Sequence, residues 1–205
     1  MLRPHPPAEM LDPTGPAFLP SPDLAEWAKA TFIEDGAPLF NEEHVHLQDA
    51  EIGFLWTSIP NARGGLAVIG QCELMPPAVM GKWARARAIQ QITDWFGDMP
   101  DFVITLSAPY CAHASDIDFM SLVEHELSHA GQERDEFGGL KFTREGSPKF
   151  GMRAHDVQEF VGVARRYGAT GVNVRALVDA VNAGPAIGRA SIAAACGSCH
   201  VRLAA

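Results

Sequence analysis

The sequence predicts an α+β fold in which a small, mostly antiparallel sheet of about three to four strands packs against one central amphipathic helix and further helices. Two patterns carry this prediction: short β-branched and aromatic runs at 51–58, 65–74 and 101–107, and helical spacing of apolar residues at 79–96 and 115–131. A third observation sets the scale. With 205 residues, 47% apolar and 20% charged, the chain can bury one domain core without needing a disulfide.

Taken in order, residues 1–20 hold six prolines and offer few backbone donors, which predicts an extended or disordered arm. Ser21 stands as an N-cap before Pro22 at the first helical position, and Leu24, Trp27, Ala28 and Phe32 keep helical spacing until the stop at Gly36. His44 and His46 alternate in a stretch that suits extended backbone, with both rings on one side. The pair could bind a metal, but with no third ligand nearby a structural role is the simpler expectation. Residues 51–58 and 65–74, joined by a turn through Pro60 and Gly64, are expected to form an antiparallel pair.

Val79, Trp83, Ala86, Ile89, Ile92, Trp95 and Phe96 define a core-facing helix that ends near Gly97. Residues 101–107 form the third strand, which Pro109 prevents from continuing. In 115–131, Phe119, Leu122, Val123, Leu127 and Ala130 make one apolar stripe and Gly131 is the natural terminator. The glycine-rich segment 132–152, with a short hairpin through 137–142, connects to another helix at 155–167, and 172–182 and 185–195 complete the domain. The organisation is thus an arm (1–20), one domain (21–195, core about 40–168, C-terminal helices 172–195) and a tail (196–205).

The net charge of −9 disfavours a nucleic-acid partner, and the basic groupings at 82–87 and at Arg165 and Arg166 are short. No run approaches the ~20 apolar residues of a membrane span, and residues 1–20 lack the apolar core of a secretory signal. The four cysteines fit a reducing compartment, so the expected location is the cytoplasm.

The chemistry concentrates at His125, Glu126 and His129, a His-Glu-x-x-His pattern in the middle of the 115–131 helix. One turn separates the two imidazoles, so both can reach one ion while Glu126, on the adjoining strip, faces the remaining position. Catalytic zinc takes three protein ligands and leaves one position for water, whose pKa falls to ~7. His125 and His129 would supply two ligands. Glu126 would be the catalytic general base, taking the proton of the attacking zinc-bound water and returning it to the leaving amine. The implied reaction is hydrolysis of a peptide bond in a protein or peptide substrate, with Zn2+ as cofactor and a zincin-like fold.

The third ligand sets the subclass. Three and six positions beyond the second histidine a metzincin carries Gly and His, whereas this chain has Gln132 and Asp135. His155, across the connector, is the leading candidate. Glu159, Asp135 and Asp156 are the alternatives, either as ligands or as acceptors for the second N–H of a ligand imidazole. For stabilising the transition state, Tyr167 is the foremost of several candidates that include Tyr110, His113 and Arg153.

His125-Glu126-Leu127-Ser128-His129, a connector of about 25 residues, and then His155-Asp156-Val157-Gln158-Glu159-Phe160 up to Arg165-Arg166-Tyr167-Gly168 resemble the phage metallopeptidase domain, a family similar to SprT-like zincins. A strand at 52–57 followed by Gly70-Gln71-Cys72-Glu73 extends the resemblance over about 40–168. The resemblance implies zinc, ligands at His125, His129 and His155, and Glu126 as the base. It carries no substrate, because the glycine-rich connector and the C-terminal extension depart from the family.

Cys196, Cys199 and His200 match a haem-attachment pattern and also half of a zinc site. The simplest expectation is two thiols at the end of a small helix. Two further function classes stand beside the peptidase: a zincin-fold binding or regulatory protein with structural zinc, and a redox or haem module built on the tail.

Overall fold

In the computed structural model, which describes residues 2–78, 81–157, 172–190 and 195–197, the first strand lies inside the proline-rich N-terminal segment. β1 (Phe18–Pro20) pairs antiparallel with β2 (Ile52–Thr57). Upstream of it Met10 is buried, and Arg3 donates to Asp116 Oδ1 at 2.7 Å and to the Ala114 carbonyl at 2.6 Å. The segment is therefore packed, which departs from the disordered arm expected of it. Its prolines restrict the unfolded chain as well as the folded one, so fixing it costs less entropy than composition suggests.

α1 (Pro22–Ala28) starts after Ser21 with proline in its first turn, and a π-helical turn at Lys29–Ile33 follows. The stretch around His44 and His46 is a 3-10 helix, Glu42–Asp49, and not extended backbone. Asn41 opens it by accepting from the Glu43 N–H at 3.0 Å, the local hydrogen bond that favours a helix start. His46 Nε2 donates to the Ala130 carbonyl at 2.8 Å, so this histidine has a structural role.

After β3 (Asn61–Arg63) and β4 (Leu66–Leu74) come α2 (Lys82–Phe96), β5 (Phe102–Ser107) and α3 (Ala108–His113). The sheet is mixed, with five strands in the order β1-β2-β5-β4-β3 and a sixth, short strand paired with β4, where about three to four were expected. β2 and β4 do not pair with each other. β5 lies between them, parallel to β2 and antiparallel to β4. A physical reason is that β5 is buried on both faces, through Phe102, Ile104 and Leu106 on one and Val103 on the other, which only a central position satisfies.

α2 ends at Gly97, whose φ of 84° is the left-handed conformation that glycine adopts without steric cost. Its expected core face is narrower than the spacing suggests. Ile92 is buried, with Trp95 and Phe96 packed against the second face of the sheet, but Trp83 is 84% exposed. The opposite face carries the main core, in which Phe54, Trp56, Ile104 and Leu106 meet Trp27 and Phe32. α4 (Asp116–His129) lays Phe119, Leu122, Val123 and Leu127 into this core.

Ser115 caps α4 by accepting from the Asp118 N–H at 3.2 Å. At the other end Gly131 is not a left-handed terminator. The chain turns extended at Ala130 and enters β6 (Ala130–Gln132), which pairs antiparallel with β7 (Phe150–Met152). Strand pairing, and not a glycine cap, ends this helix. α5 (Val172–Ala183) lies where a helix was expected, whereas residues 184–190 are not helical. β8 (Ala195–Cys196) adds to β4. No described helix is long and apolar enough to cross a membrane.

His44 provides a pH-sensitive element in this core. It is 1% exposed and its Nε2 has no hydrogen-bond partner among the described residues. Burial first, and then the nearby His46, push its pKa down to about 4. Between that value and the ordinary one near 6.5 the unfolded chain binds more protons, so stability is retained above about 6.5 and lost as the pH falls toward 4. The expected loss is about 3 kcal/mol across this window. Urea unfolding of metal-free protein at pH 7 and pH 4 should show it, and His44→Leu should reduce the difference by that amount.

Candidate metal centre

α4 positions the first part of the centre. Its apolar stripe is held in the core, and the two histidines one turn apart project from the adjoining flank, their ring centroids 5.0 Å apart. The short β6–β7 pair supplies the next part by folding the chain back. It brings the Arg153 carbonyl against His129, where the Nδ1–H donates at 2.7 Å, and the Arg153 N–H donates in turn to the His129 carbonyl at 2.9 Å. With Nδ1 carrying the proton, the Nε2 lone pair is directed into the cluster. This orienting role belongs to the Arg153 backbone, which no side-chain pattern reveals.

Two residues further on, His155 closes the group. Its Nε2 lies 3.2 Å from His125 Nε2, and its ring centroid is 5.0 Å from that of His125 and 4.9 Å from that of His129. His155 sits on non-helical backbone, so the expected helix beginning there is not seen at its first residues. Its pKa is lowered by partial burial and then by His129, with Asp156 acting in the opposite direction. Lowering favours the neutral ring, the form that can donate a lone pair to a cation.

A fourth group joins them that the sequence did not single out as part of this site. Cys196 Sγ lies 3.2 Å from His129 Nε2, and the ligand atoms of His125, His129, His155 and Cys196 all fall within 4.8 Å of one another. A tetrahedral shell with bonds of ~2.0–2.3 Å sets its ligand atoms about 3.3–3.8 Å apart, so this set fits one small cation. Imidazole and thiol donors together suit zinc among the common metals. The Cys196-x-x-Cys199-His200 pattern was the available signal, but its chain distance from the histidine helix concealed the destination. Cys199 and His200 lie outside the described residues.

Glu126 is fully buried beside this group. Its carboxylate oxygens lie 3.6 and 3.8 Å from Cys196 Sγ. The close approach of β4 makes room for it. A Cβ on Gly70 would come within 2.6 Å of Glu126 Oε1, so only glycine lets the sheet and this carboxylate meet undisturbed.

The remaining candidates are placed elsewhere. Asp135 accepts from the Phe137 and Gly139 N–H groups at 2.9 and 2.7 Å and closes a loop away from the four-residue cluster. Asp156 pairs with Arg153 Nη2 at 3.1 Å, and Glu43 pairs with Arg153 Nη1 at 2.6 Å. Arg153 is thus held at the rim by two carboxylates. Glu159 and Tyr167 lie outside the described residues, as does most of the expected 155–167 helix.

A cavity of about 230 Å³ opens at the histidines between Arg153 and His155. A larger groove, about 940 Å³, runs beside it along Glu43, His46, Gln132 and Met152. The groove shares Glu43, Ser128, Arg153 and Asp156 with the cavity but does not include the histidine cluster itself.

Three imidazoles and a thiol around one point, with a buried carboxylate beside them, make this α+β protein a candidate metalloprotein. The chain belongs to the family described as Putative phage metallopeptidase, whose model matches residues 25–182. No curated protein and no solved structure matches the chain.

Proposed function

We propose that the chain is a zinc-dependent metallopeptidase that cleaves peptide bonds in protein or peptide substrates. The observation that carries this reading is the convergence of His125, His129 and His155 beside the buried carboxylate of Glu126. Membership of the metallopeptidase family supports it. When bound, zinc would lower the pKa of water and polarise the scissile carbonyl.

The chain's own residues supply the rest. His125, His129 and His155 would hold the ion through ring nitrogens, and the Arg153 carbonyl would fix the His129 tautomer. Glu126 would take a proton from the attacking water and deliver it to the leaving amine. Its burial favours that role, because a carboxylate with little competing solvent holds and returns a proton at one defined place. The groove beside the cluster offers a place for the substrate chain, with Arg153 at its rim held by Glu43 and Asp156.

Metal analysis of purified protein, together with cleavage of a peptide library with and without chelator, tests this reading. About one zinc per chain and chelator-sensitive cleavage are expected. His155→Ala should weaken zinc binding by roughly 100-fold or more, since losing an outer-shell partner alone costs 10–100-fold. Unchanged metal content and activity in that variant would remove His155 from the site.

A second reading, a zincin-fold binding or regulatory protein with structural zinc, is favoured by one observation. With Cys196 included, four donors are present, as in closed structural sites. It predicts stoichiometric metal without cleavage of any library.

A further inference from the structure

The fourth donor comes from a segment that is itself a strand on the sheet. β8 pairs parallel with β4, matching Ala195 to Val68 and Cys196 to Gly70, and the Gly197 N–H donates to the Gly70 carbonyl at 2.9 Å. Gly70 pairs with Leu106 of β5 on its other side, so β8 takes the edge of β4 that faces away from β5. Gly70 is also the residue packed against Glu126. One strand edge therefore runs past the proposed general base, and a short piece of the same chain lies along it.

Extended peptides bind proteins by adding a strand to such an edge. A substrate lying on β4 at Gly70 would present a peptide group to Glu126 and to the histidine cluster. The position is already taken: Cys196 lies opposite Gly70 with its Sγ within 3.8 Å of both Glu126 oxygens and 3.2 Å from His129 Nε2. The thiol thus stands between the carboxylate and the imidazoles, where a catalytic centre needs its water.

We propose that residues 195–197 are a built-in inhibitor of the site, with β8 holding the substrate edge of β4 and Cys196 acting as the fourth zinc ligand. The proposal rests on the peptidase reading above. Cys196 would bind as the thiolate, releasing its proton to solvent, and the shell of three imidazoles and one thiolate leaves no position for water. Activation would then be displacement of β8 from β4 by a competing peptide strand, which would withdraw Cys196 from the cluster and leave the site to three imidazoles, as in open catalytic zinc sites. Because the inhibitor is tethered, its effective concentration at the site is high even though few residues touch the sheet.

The test uses full-length protein loaded with Co2+, whose thiolate charge-transfer absorption in the near ultraviolet reports sulfur ligation directly. The band should be present in the wild type and in Cys199→Ala and absent in Cys196→Ala. Cys196→Ala loaded with zinc should hydrolyse casein about tenfold faster or more than the wild type. A measurement on wild-type protein keeps the test sound if that variant folds poorly: alkylation of Cys196 by iodoacetamide, mapped by peptide mass, should slow about tenfold or more when zinc is added. Cys72 and Cys111 are buried and held as thiols by that burial, which keeps them slow in the same assay.

Bound cobalt without a thiolate band, or alkylation indifferent to zinc, overturns the proposal and leaves the peptidase reading standing. The same holds if the band behaves as expected but Cys196→Ala is no faster than an active wild type. If neither protein cleaves casein, or neither binds metal, both the inhibitor and the peptidase reading fail.

Discussion

Glu126→Gln should abolish hydrolysis while leaving zinc in place. The two side chains have nearly the same shape, and Glu126 is not among the four residues whose ligand atoms cluster. The amide fills the same space against Gly70 and Cys196 but cannot accept the proton of the attacking water. Loss of a positioned general base costs about 10²–10⁴ in rate. Since the carboxylate is fully buried, replacing it by a neutral group removes a desolvation penalty, and thermal stability should not fall. The comparison is best made in both the wild-type and Cys196→Ala backgrounds, with kcat, zinc content and melting temperature measured together. Full activity with normal metal content would remove Glu126 from the mechanism. Loss of metal together with activity would show instead that the carboxylate supports the metal site.

The parts of this site that were legible in the sequence are those that one element carries by itself. His125, Glu126 and His129 are fixed relative to one another by helical geometry, and the apolar stripe of Phe119, Leu122, Val123 and Leu127 says which face of that helix is buried. His155 was the leading third ligand from its place across the connector, and the family resemblance implied the same residue, but no helical spacing fixes its distance from the other two. What the sequence concealed is relational. The turn between 51–58 and 65–74 suggested a hairpin of those two runs, but the more deeply buried β5 took the place between them, and the turn instead led into the small β3–β4 hairpin.

The same reason hid Cys196 and the Arg153 carbonyl. A two-residue strand has no periodicity to read, and a backbone carbonyl has no side-chain signature. Trp83 erred in the opposite direction, since its spacing matched a buried stripe that narrows before the first turn of α2. Helical periodicity states which residues could share a face, while the neighbouring layer decides how much of that face is covered. The N-terminal segment makes the point from composition: prolines argued for disorder, but Met10 and Arg3 found partners in the core that no local rule anticipates.

Phe119→Ala is expected to cost the most stability of any change considered, because Phe119 joins the helix that carries the site to both the sheet and the N-terminal segment. It is fully buried, with its ring centroid 5.4 Å from Trp27 and 6.3 Å from Trp56, and the Arg3 guanidinium stands 4.8 Å from the ring centroid. Truncating a buried phenylalanine to alanine costs about 3–5 kcal/mol, and losing the cation over its face adds about 0.5–1 kcal/mol or more. Against a typical total of about 5–15 kcal/mol, that leaves a metal-free protein close to its unfolding threshold. Zinc at the proposed site would engage only the folded arrangement of residues from α4, the segment after β7, and β8, so it should restore part of the loss: about 4 kcal/mol at a free concentration 1,000 times Kd. Chemical denaturation of the variant should therefore show a much reduced midpoint without metal and a partial recovery with it, while Arg3→Ala should reproduce only the smaller share. A variant as stable as the wild type without metal would contradict the packing on which the placement of His125 and His129 depends.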